Sequence, residues 1–320
     1  MSHILAVRDV VKTFGDVRAV DGISFEVPRG TITGLLGRNG AGKTTTIRMI
    51  TGIFMPDSGS IDWLSSAGNG SFRDQIGYLP EERGLYKQMK VVEHLLFLAE
   101  IKSRRPAEVR PTIDRWLERF ELTEKREAKV EELSKGNQQK VQLIGTLLHD
   151  PELIILDEPQ SGLDPVNMVL VRNLLRDLRE EGKTILLSTH MMAEAERMAD
   201  EIILIHQGRV VLEGDIDQVR ASFSKNTLHV EYDGDGAFLR ELPEVKRATI
   251  VNNTAELSLV EGADPQKILE ATLGRLRIRR FELAVPSLEE IFINRVGDDT
   301  LGDQPADEVA KASNLVEVGA

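Results

Sequence analysis

The chain of 320 residues carries 52 Asp and Glu against 40 Lys and Arg, a formal net charge of −12, and it contains no cysteine. The acidic balance argues against a general binder of nucleic acid or anionic membranes, and the lack of cysteine excludes disulfides and thiol catalysis. No apolar run approaches the roughly 18 residues that span a bilayer, and residues 1–10 lack the organisation of a signal peptide. If the protein acts at a membrane, we therefore expect it to do so by binding a partner protein.

Residues 1–217 alternate strand-like and helix-like runs, which predicts a layered α/β domain. Residues 4–10 and 23–27 are expected to form strands of an opening antiparallel segment. The apolar run 31–36 predicts a buried strand, and residues 44–51 predict a helix that ends at Gly52.

The run GRNGAGKT at residues 37–44 fits the phosphate-binding pattern G-x-x-x-x-G-K-[ST] without a mismatch. Its glycines let the backbone wrap around an anion with several N–H groups pointing inward. Lys43 is predicted to bind the β- and γ-phosphates, and the Thr44 hydroxyl is predicted to ligate Mg²⁺. The alternative is an ordinary glycine-rich turn, but a place between strand and helix favours phosphate because the helix dipole attracts anions. The residues expected to contact the nucleotide here are Gly37, Asn39, Gly40, Ala41, Gly42, Lys43, Thr44 and Thr45.

Strand patterns vanish between about residues 85 and 133, which predicts a helical insertion, and we place this helical subdomain at about residues 85–150. Short apolar strands of the kind found in buried parallel sheets follow at 153–156 and 184–188. A hairpin is expected across 201–213.

The strand at 153–156 ends in two adjacent acids, Asp157 and Glu158. Because α/β sheets present their ligands at the carboxyl ends of strands, Asp157 is predicted to hold Mg²⁺ through water. Glu158 is predicted to polarise the water that attacks the γ-phosphate. A solvated acidic turn is the alternative, and the phosphate loop upstream disfavours it.

The run LSKGNQQK at residues 133–140 resembles the signature of the ATP-binding cassette (ABC) ATPases, which reads LSGGQ followed by polar residues. Lys135 and Asn137 depart from that pattern. Ser134 and Gly136 are retained, and the resemblance implies that they bind the γ-phosphate of ATP held by an opposite subunit. A serine and backbone N–H groups at a helix start are suited to an anion.

Other motifs complete the resemblance, which covers about residues 3–217. The run SGLD at 161–164 is similar to the family's D-loop, which crosses the dimer interface. His190, after the strand 184–189, matches the switch histidine that contacts the γ-phosphate. Phe14 matches the aromatic residue that stacks on adenine, although a core position is an equal alternative. Glu81 stands where the family's Q-loop has glutamine, so we expect it to act first as a hinge and second as an Mg²⁺ ligand.

The resemblance implies a P-loop NTPase (ABC ATPase) core with an antiparallel β subdomain and a helical subdomain within residues 1–217. Alternating patterns after Gly214 predict a small α+β domain at 218–297, of ferredoxin-like type, in which Ser287 and Glu290 would start a helix. Its final motif, VPSLEEIF at 285–292, is similar to a domain appended to export-type ABC transporters of the sodium and drug exporter branch. Residues 298–320 are acidic and weakly patterned, which predicts a disordered tail.

The implied function is that of an ATP-binding and ATP-hydrolysing transporter subunit with ATP and Mg²⁺ as cofactors. It would pair head to tail with a second copy or a related ATPase subunit, without nucleic acid. A separate permease with about six transmembrane helices would hold it at the cytoplasmic face of the membrane. One alternative is a soluble ABC ATPase of translation, DNA repair or chromosome structure, which usually has two cassettes or a long coiled coil. Another is a non-hydrolysing nucleotide switch, which the intact Glu158 and His190 disfavour. The appended domain is expected to be a packing or dimer-stabilising module, with regulation as the alternative.

Overall fold

The computed structural model describes residues 2–63, 72–82, 84–102, 104–223, 227–260, 262–284 and 286–301. They belong to two compact units, one within residues 1–216 and one within 217–320. The strands, in chain order, are β1 (His3–Phe14), β2 (Val17–Pro28), β3 (Ile32–Leu36), β4 (Ser58–Trp63), β5 (Ile76–Leu79), β6 (Leu153–Asp157), β7 (Thr184–Thr189), β8 (Glu201–His206), β9 (Arg209–Asp215), β10 (Thr227–Asp233), β11 (Val245–Val251), β12 (Thr254–Leu259) and β13 (Arg277–Leu283).

Helices alternate with these strands in the first unit and flank the sheet strands in the second. The α-helices are α1 (Lys43–Ile50), α2 (Phe72–Gln75), α3 (Val91–Ile101), α4 (Pro106–Arg119), α5 (Lys135–Leu147), α6 (Pro165–Glu180), α7 (Met192–Met198), α8 (Ile216–Ser222), α9 (Pro265–Thr272) and α10 (Leu288–Leu301). Short 3₁₀ helices lie at Thr123–Lys125, Val130–Glu132 and Ala237–Glu241. Among the residues described, no helix is both long and apolar enough to cross a membrane.

The central sheet of the first unit has the strand order β5-β6-β7-β3-β8-β9 and is parallel except for β9. Strands β3, β6 and β7 are buried along their whole length, as nearly continuous apolar runs covered on both faces must be. The pairing of Leu36 with Thr189, and of Asp157 with Ser188, brings the carboxyl ends of these three strands to one edge. The phosphate loop, the paired acids and His190 all follow at this edge.

A second, antiparallel sheet with the order β2-β1-β4 lies in the same unit. Apolar side chains of β1 and β2 share one core with α1 and with the strands β3 and β6 of the central sheet. The helix that follows the phosphate loop is thereby anchored through Ile47 and Ile50, which are almost fully buried. Strand β4 was not predicted, because its sequence SGSIDW is polar at its start and half-buried at most.

Helices α3, α4 and α5, with the first two 3₁₀ helices, occupy the segment predicted to be the helical subdomain. Helix α4 begins with Pro106 at its first turn, where the missing N–H costs nothing. Val91, Leu95, Ile113 and Leu117 are buried on α3 and α4. The same apolar environment encloses His94 on α3, which has no solvent exposure and, within the described part of the chain, no hydrogen-bond partner at either ring nitrogen.

Burial of His94 predicts a loss of stability in mild acid. Burial lowers the pKa of His94 to about 4 from an ordinary value near 6.5, so the unfolded chain takes up a proton before the folded one. The titration of His94 therefore does not change the free energy of unfolding above pH 6.5. As the pH drops toward 4, it lowers the free energy of unfolding by at most about 3 kcal/mol. Urea unfolding at pH 7.5 and pH 5 should show a smaller pH-dependent loss for His94→Leu than for the unmodified chain. A His229→Leu control in the second unit should keep the full loss, and an equal loss in all three proteins would contradict the prediction.

The second unit is built on an antiparallel sheet with the order β11-β12-β10-β13. This order is that of the β-α-β-β-α-β ferredoxin-like motif, with the 3₁₀ helix Ala237–Glu241 at the place of the first helix. Alternate residues of β10, Leu228, Val230 and Tyr232, point into a core shared with β12 and α9. The predicted α+β class of this domain agrees with these elements.

The last helix starts as the sequence predicts. The Ser287 hydroxyl accepts from the amide of Glu290 at 3.2 Å, and the Glu290 carboxylate accepts from the amide of Ser287 at 2.8 Å, which is a capping box. Helix α10 continues to Leu301, past the predicted start of the tail at residue 298. The rest of the predicted tail lies outside the described residues.

Candidate nucleotide site

The phosphate loop leaves the buried strand β3 and enters α1, and two of its glycines are required by close packing. Gly37 has φ +153°, and a Cβ there would lie 2.3 Å from the carbonyl oxygen of Ile205. Gly42 has φ +111°, and its Cβ would lie 2.7 Å from the carbonyl oxygen of Ala19. Both contacts are with backbone, which cannot move aside, so neither position accepts a side chain. The loop path is thus fixed by β2 and β8 on either side.

Lys43 lies inside this loop and is 6% exposed. Its Nζ donates to the carbonyl oxygens of Gly37 at 2.8 Å and Arg38 at 3.3 Å. It also lies 3.7 Å from Oε1 of Glu158. Burial lowers the pKa of Lys43, while Glu158, Asp157 and Glu81 oppose that shift through their charges. The cation is held across the loop, where further negative charge from phosphate would stabilise it.

Asp157 ends β6 and is fully buried. Its Oδ1 accepts from the hydroxyl of Thr44 at 3.3 Å and, more closely, from the hydroxyl of Ser188. Its Oδ2 is buried and has no hydrogen-bond partner among the residues that the structure describes. An unpartnered carboxylate oxygen beside a threonine hydroxyl fits Mg²⁺, which commonly uses one or two carboxylates and completes its shell with water and substrate phosphates. Within the described parts of the chain, no group of three or more His, Asp or Glu side chains is placed to hold a metal.

Glu158 and His190 form a hydrogen-bonded pair next to the lysine. Oε1 of Glu158 lies 2.9 Å from Nδ1 of His190, and the Glu158 side chain is 9% exposed while that of His190 is 49% exposed. The backbone of Glu158 has φ +49°, a left-handed conformation that is unfavourable for a residue with a Cβ. Its amide is held by the carbonyl oxygen of Ser188 at 3.2 Å and by the hydroxyl of Ser188 at 3.3 Å. One carboxylate therefore faces both a cation and an imidazole.

Several predicted residues have no described hydrogen bond or ion pair with this group. Phe14 is 44% exposed and packs edge-on against Phe54, with ring centroids 5.4 Å apart. Ser134 starts α5, where its hydroxyl accepts from the amide of Asn137 at 3.2 Å. Glu81 is exposed and acts on Lys43 only through its charge. The other predicted nucleotide contacts lie on the loop or at the start of a helix: Asn39 and Gly40 are exposed, Ala41 is buried, and Thr45 and Gly136 are half-buried.

Sequence reasoning missed Ser188, which contacts both acids at once. Its hydroxyl donates to Asp157, and its backbone carbonyl and hydroxyl hold the amide of Glu158. The available signal was a small polar residue at a fully buried position in an otherwise apolar strand. Such a residue needs a polar partner, and the register of β6 against β7 supplies Asp157.

Two family models match the chain, one in each unit. Residues 20–161 match the model described as ABC transporter. Residues 214–296 match the model described as ATP-binding protein DrrA1-3-like, C-terminal domain. The resemblance that the motifs of the first unit and the end of the second unit predicted is therefore confirmed in both places.

Known proteins resemble the chain over nearly its whole length. It is 42% identical over 294 residues to the uncharacterized ABC transporter ATP-binding protein YhaQ of Bacillus subtilis (strain 168), which covers 92% of this chain and 99% of that protein. It is 35% identical over 293 residues to the Nod factor export ATP-binding protein I of Rhizobium sp. (strain N33), covering 90% of this chain and 95% of the relative.

A solved structure, described as the ATP binding subunit of an ABC transporter, aligns with a TM-score of 0.63 and 34% identity. The alignment covers 69% of this chain and 93% of that structure, which confirms the predicted P-loop NTPase fold of the ABC ATPase type. With 42% identity to one member across nearly its full length and an ABC transporter model matched around the phosphate loop, this chain belongs to the ABC transporter ATP-binding proteins, the subunits that bind and hydrolyse ATP and work with membrane permeases.

Proposed function

We propose that this chain hydrolyses ATP with Mg²⁺ in a head-to-tail pair of subunits and thereby drives export through a separate permease. The observation that carries this proposal is the pair formed by Glu158 and His190 beside Lys43, with 2.9 Å and 3.7 Å separating the carboxylate oxygen from the imidazole and ammonium nitrogens. Phosphoryl transfer to water needs a base that accepts the proton of the water and a cation near the phosphates. The Glu158 carboxylate and the Lys43 ammonium group would supply these, and the His190 imidazole adds a hydrogen-bonding group beside them.

Each of several residues of this chain would have a separate role in hydrolysis. Loop amides and Lys43 would hold the β- and γ-phosphates, and Phe14 would stack on adenine from its half-exposed position. Glu158 would orient the attacking water and accept its proton. Because Nδ1 of His190 bonds Glu158, Nε2 is the nitrogen that would donate to a γ-phosphate oxygen, and donation from both nitrogens requires the imidazole to carry two protons. Thr44 and Asp157 would hold Mg²⁺, and the metal would neutralise charge on the phosphate oxygens.

The position of the signature supports a second subunit. Ser134 and Gly136 lie at the start of α5, and a Cβ added at Gly136 would contact the side chains of Asn167 and Leu163, not the phosphate loop. A single chain therefore has two separate sets of groups for the γ-phosphate of ATP, one around Lys43 and one at Ser134. In two copies arranged head to tail, each ATP would contact the Lys43 set of one subunit and the Ser134 set of the other. Bound ATP would therefore favour association of the two subunits, and hydrolysis would favour their separation.

The direction of transport and the permease rest on relatives. The Nod factor export ATP-binding protein I matches 90% of this chain, including the second unit, which supports an exporter. We place the permease contact on the helical segment after Glu81 and expect a partner of about six apolar segments of about 20 residues. Isolation of the chain from membranes should recover such a partner, and recovery with soluble proteins alone would count against this part of the proposal.

Dependence on Mg²⁺ tests the role of Asp157. We expect Asp157→Asn to raise the Mg²⁺ concentration needed for half-maximal ATP turnover by about 10–100-fold, because the residue acts on the metal through water or an outer-shell bond. Phosphate release measured across a Mg²⁺ titration gives this value directly. Asp177→Asn serves as the matched control, because Asp177 is an exposed acid on α6 that pairs with Arg119 at the end of α4. A Mg²⁺ requirement unchanged by Asp157→Asn would contradict the assignment.

A further inference from the structure

The segment directly after Glu158 is held from two sides by the side chains of two glutamines to which none of the motifs assigns a role. On one side, Nε2 of Gln139 on α5 donates to the carbonyl oxygen of Pro159 at 3.3 Å. On the other side, Nε2 of Gln160 donates to Oε2 of Glu194 on α7 at 3.4 Å. Both glutamines are buried, with exposures of 3% and 7%. Two amides therefore fix the two residues that connect Glu158 to the run 161–164.

Glu194 is the centre of the second attachment. It is 6% exposed, and its Oε2 also accepts from Nη2 of Arg172 on α6 at 2.8 Å. The Nε of Arg172 is buried and has no hydrogen-bond partner among the described residues, and Glu194 carries the negative charge that pairs with this guanidinium. A buried ion pair of this kind gains little stability over apolar packing, because both charges lose their hydration. The ion pair instead fixes positions, because it connects α6 and α7 to the residues that follow Glu158.

The backbone of Glu158 needs such support. Its φ of +49° is a strained conformation that persists only where the surroundings determine it. The amide side is held by Ser188 on β7. The carbonyl side continues into Pro159 and Gln160, whose attachments have just been described. Helix α7, which carries Glu194, begins directly after the segment with His190, so the same helix is tied to both members of the hydrogen-bonded pair.

We propose that Gln139, Gln160 and Glu194 are positioning residues that hold the carboxylate of Glu158 in register with His190. This rests on the proposed function, in which Glu158 is the general base. Among the described residues, none of the three has a hydrogen bond with Lys43, Thr44 or His190, so they would act on Glu158 through the backbone at 158–160. Because Gln139 lies on the signature helix α5, the same contacts also connect the start of that helix to the base within one subunit.

The test uses Gln160→Met and Gln139→Met, in which an unbranched side chain of similar length loses its amide. Each variant is expected to lower kcat for ATP by about 10–100-fold, the effect of a small displacement of a reacting group, with KM for ATP unchanged. Arg197→Gln is the matched control, since Arg197 pairs with the other oxygen of Glu194 from a side chain that is 59% exposed. It should leave kcat unchanged, because exposed ion pairs contribute little.

A second measurement separates positioning from general damage to the fold. In a Glu158→Gln background, adding Gln160→Met should cause no further loss of turnover, because residues that act as one unit are not additive. Equal kcat for both methionine variants and the unmodified chain would overturn the inference, as would a further multiplicative loss in the double variant. Absence of ATP turnover in the unmodified chain would instead refute the proposed function on which the inference rests.

Discussion

Replacing Glu158 with glutamine is expected to lower ATP turnover by about 10²–10⁴-fold, which is the usual contribution of a general base, or roughly 3–5 kcal/mol of barrier. The carboxylate oxygen that faces His190 and Lys43 becomes part of an amide, which has nearly the same size but accepts no proton from water. Thr44, Asp157 and the loop are untouched, so affinity for ATP is expected to stay.

Phosphate release by the purified variant, beside equilibrium binding of ATP, separates these two effects. Glu181→Gln is the matched control, because Glu181 is an exposed acid that caps the end of α6. Turnover near that of the unmodified chain in Glu158→Gln would refute the assignment of Glu158. A loss of ATP binding equal to the loss of turnover would also contradict it, since the role argued for Glu158 belongs to the chemical step.

Replacing Lys43 with methionine is expected to weaken ATP binding by about 10–100-fold. A hydrogen bond to a charged group contributes about 1.5–3 kcal/mol, and each 1.4 kcal/mol is tenfold in Kd. Two carbonyl oxygens already orient this ammonium group, so little side-chain entropy is lost when phosphate arrives. Turnover should fall as well, because the β- and γ-phosphates lose their cation.

Stability distinguishes this loss of binding from unfolding. Burial lowers the pKa of Lys43, which means that the folded chain pays a desolvation penalty to keep the ammonium charged. Without nucleotide, Lys43→Met is therefore expected to be at least as stable toward urea as the unmodified chain. Lys183→Met, at the opposite end of β7 from His190 and paired with Asp150, is the matched control. Unchanged ATP affinity in Lys43→Met would exclude Lys43 from the site.

The parts of the site that could be predicted from sequence are those carried by local pattern. A glycine loop between a strand and a helix, and a strand ending in Asp157 and Glu158, each imply a position at the carboxyl edge of the sheet. The structure places Lys43, Thr44, Asp157, Glu158 and His190 together at that edge. Whether each has its predicted catalytic role stays a prediction.

Contacts that depend on register and distant packing could not be predicted. Ser188 meets Asp157 because β6 and β7 pair at those residues, and an alternation pattern does not state which strands are neighbours. The contact of Gln160 with Glu194 joins positions 34 residues apart, on a turn and a helix. Long-range polar pairs of this kind leave no periodic signal in a single sequence.

In the second unit, apolar and polar residues alternate along β10 and β12, because one face of each strand is more buried than the other. This alternation made the strands predictable. The first crossover was harder, since Ala237–Glu241 forms a single 3₁₀ turn rather than a helix with a readable period. Helix α10 was predicted from its capping box but extends further than its apolar pattern indicates.

The composite site is tested most directly by the mass of the Glu158→Gln variant in solution with and without ATP and Mg²⁺. A chain of 35.7 kDa that binds but does not hydrolyse ATP should sediment as a monomer without nucleotide and as a dimer of twice that mass with it. Adding Ser134→Arg to the same variant should abolish the ATP-dependent dimer, because the bulky side chain blocks the surface that meets the other subunit's phosphates. A mass that does not respond to ATP, or a dimer that Ser134→Arg leaves intact, would contradict a site shared between two copies.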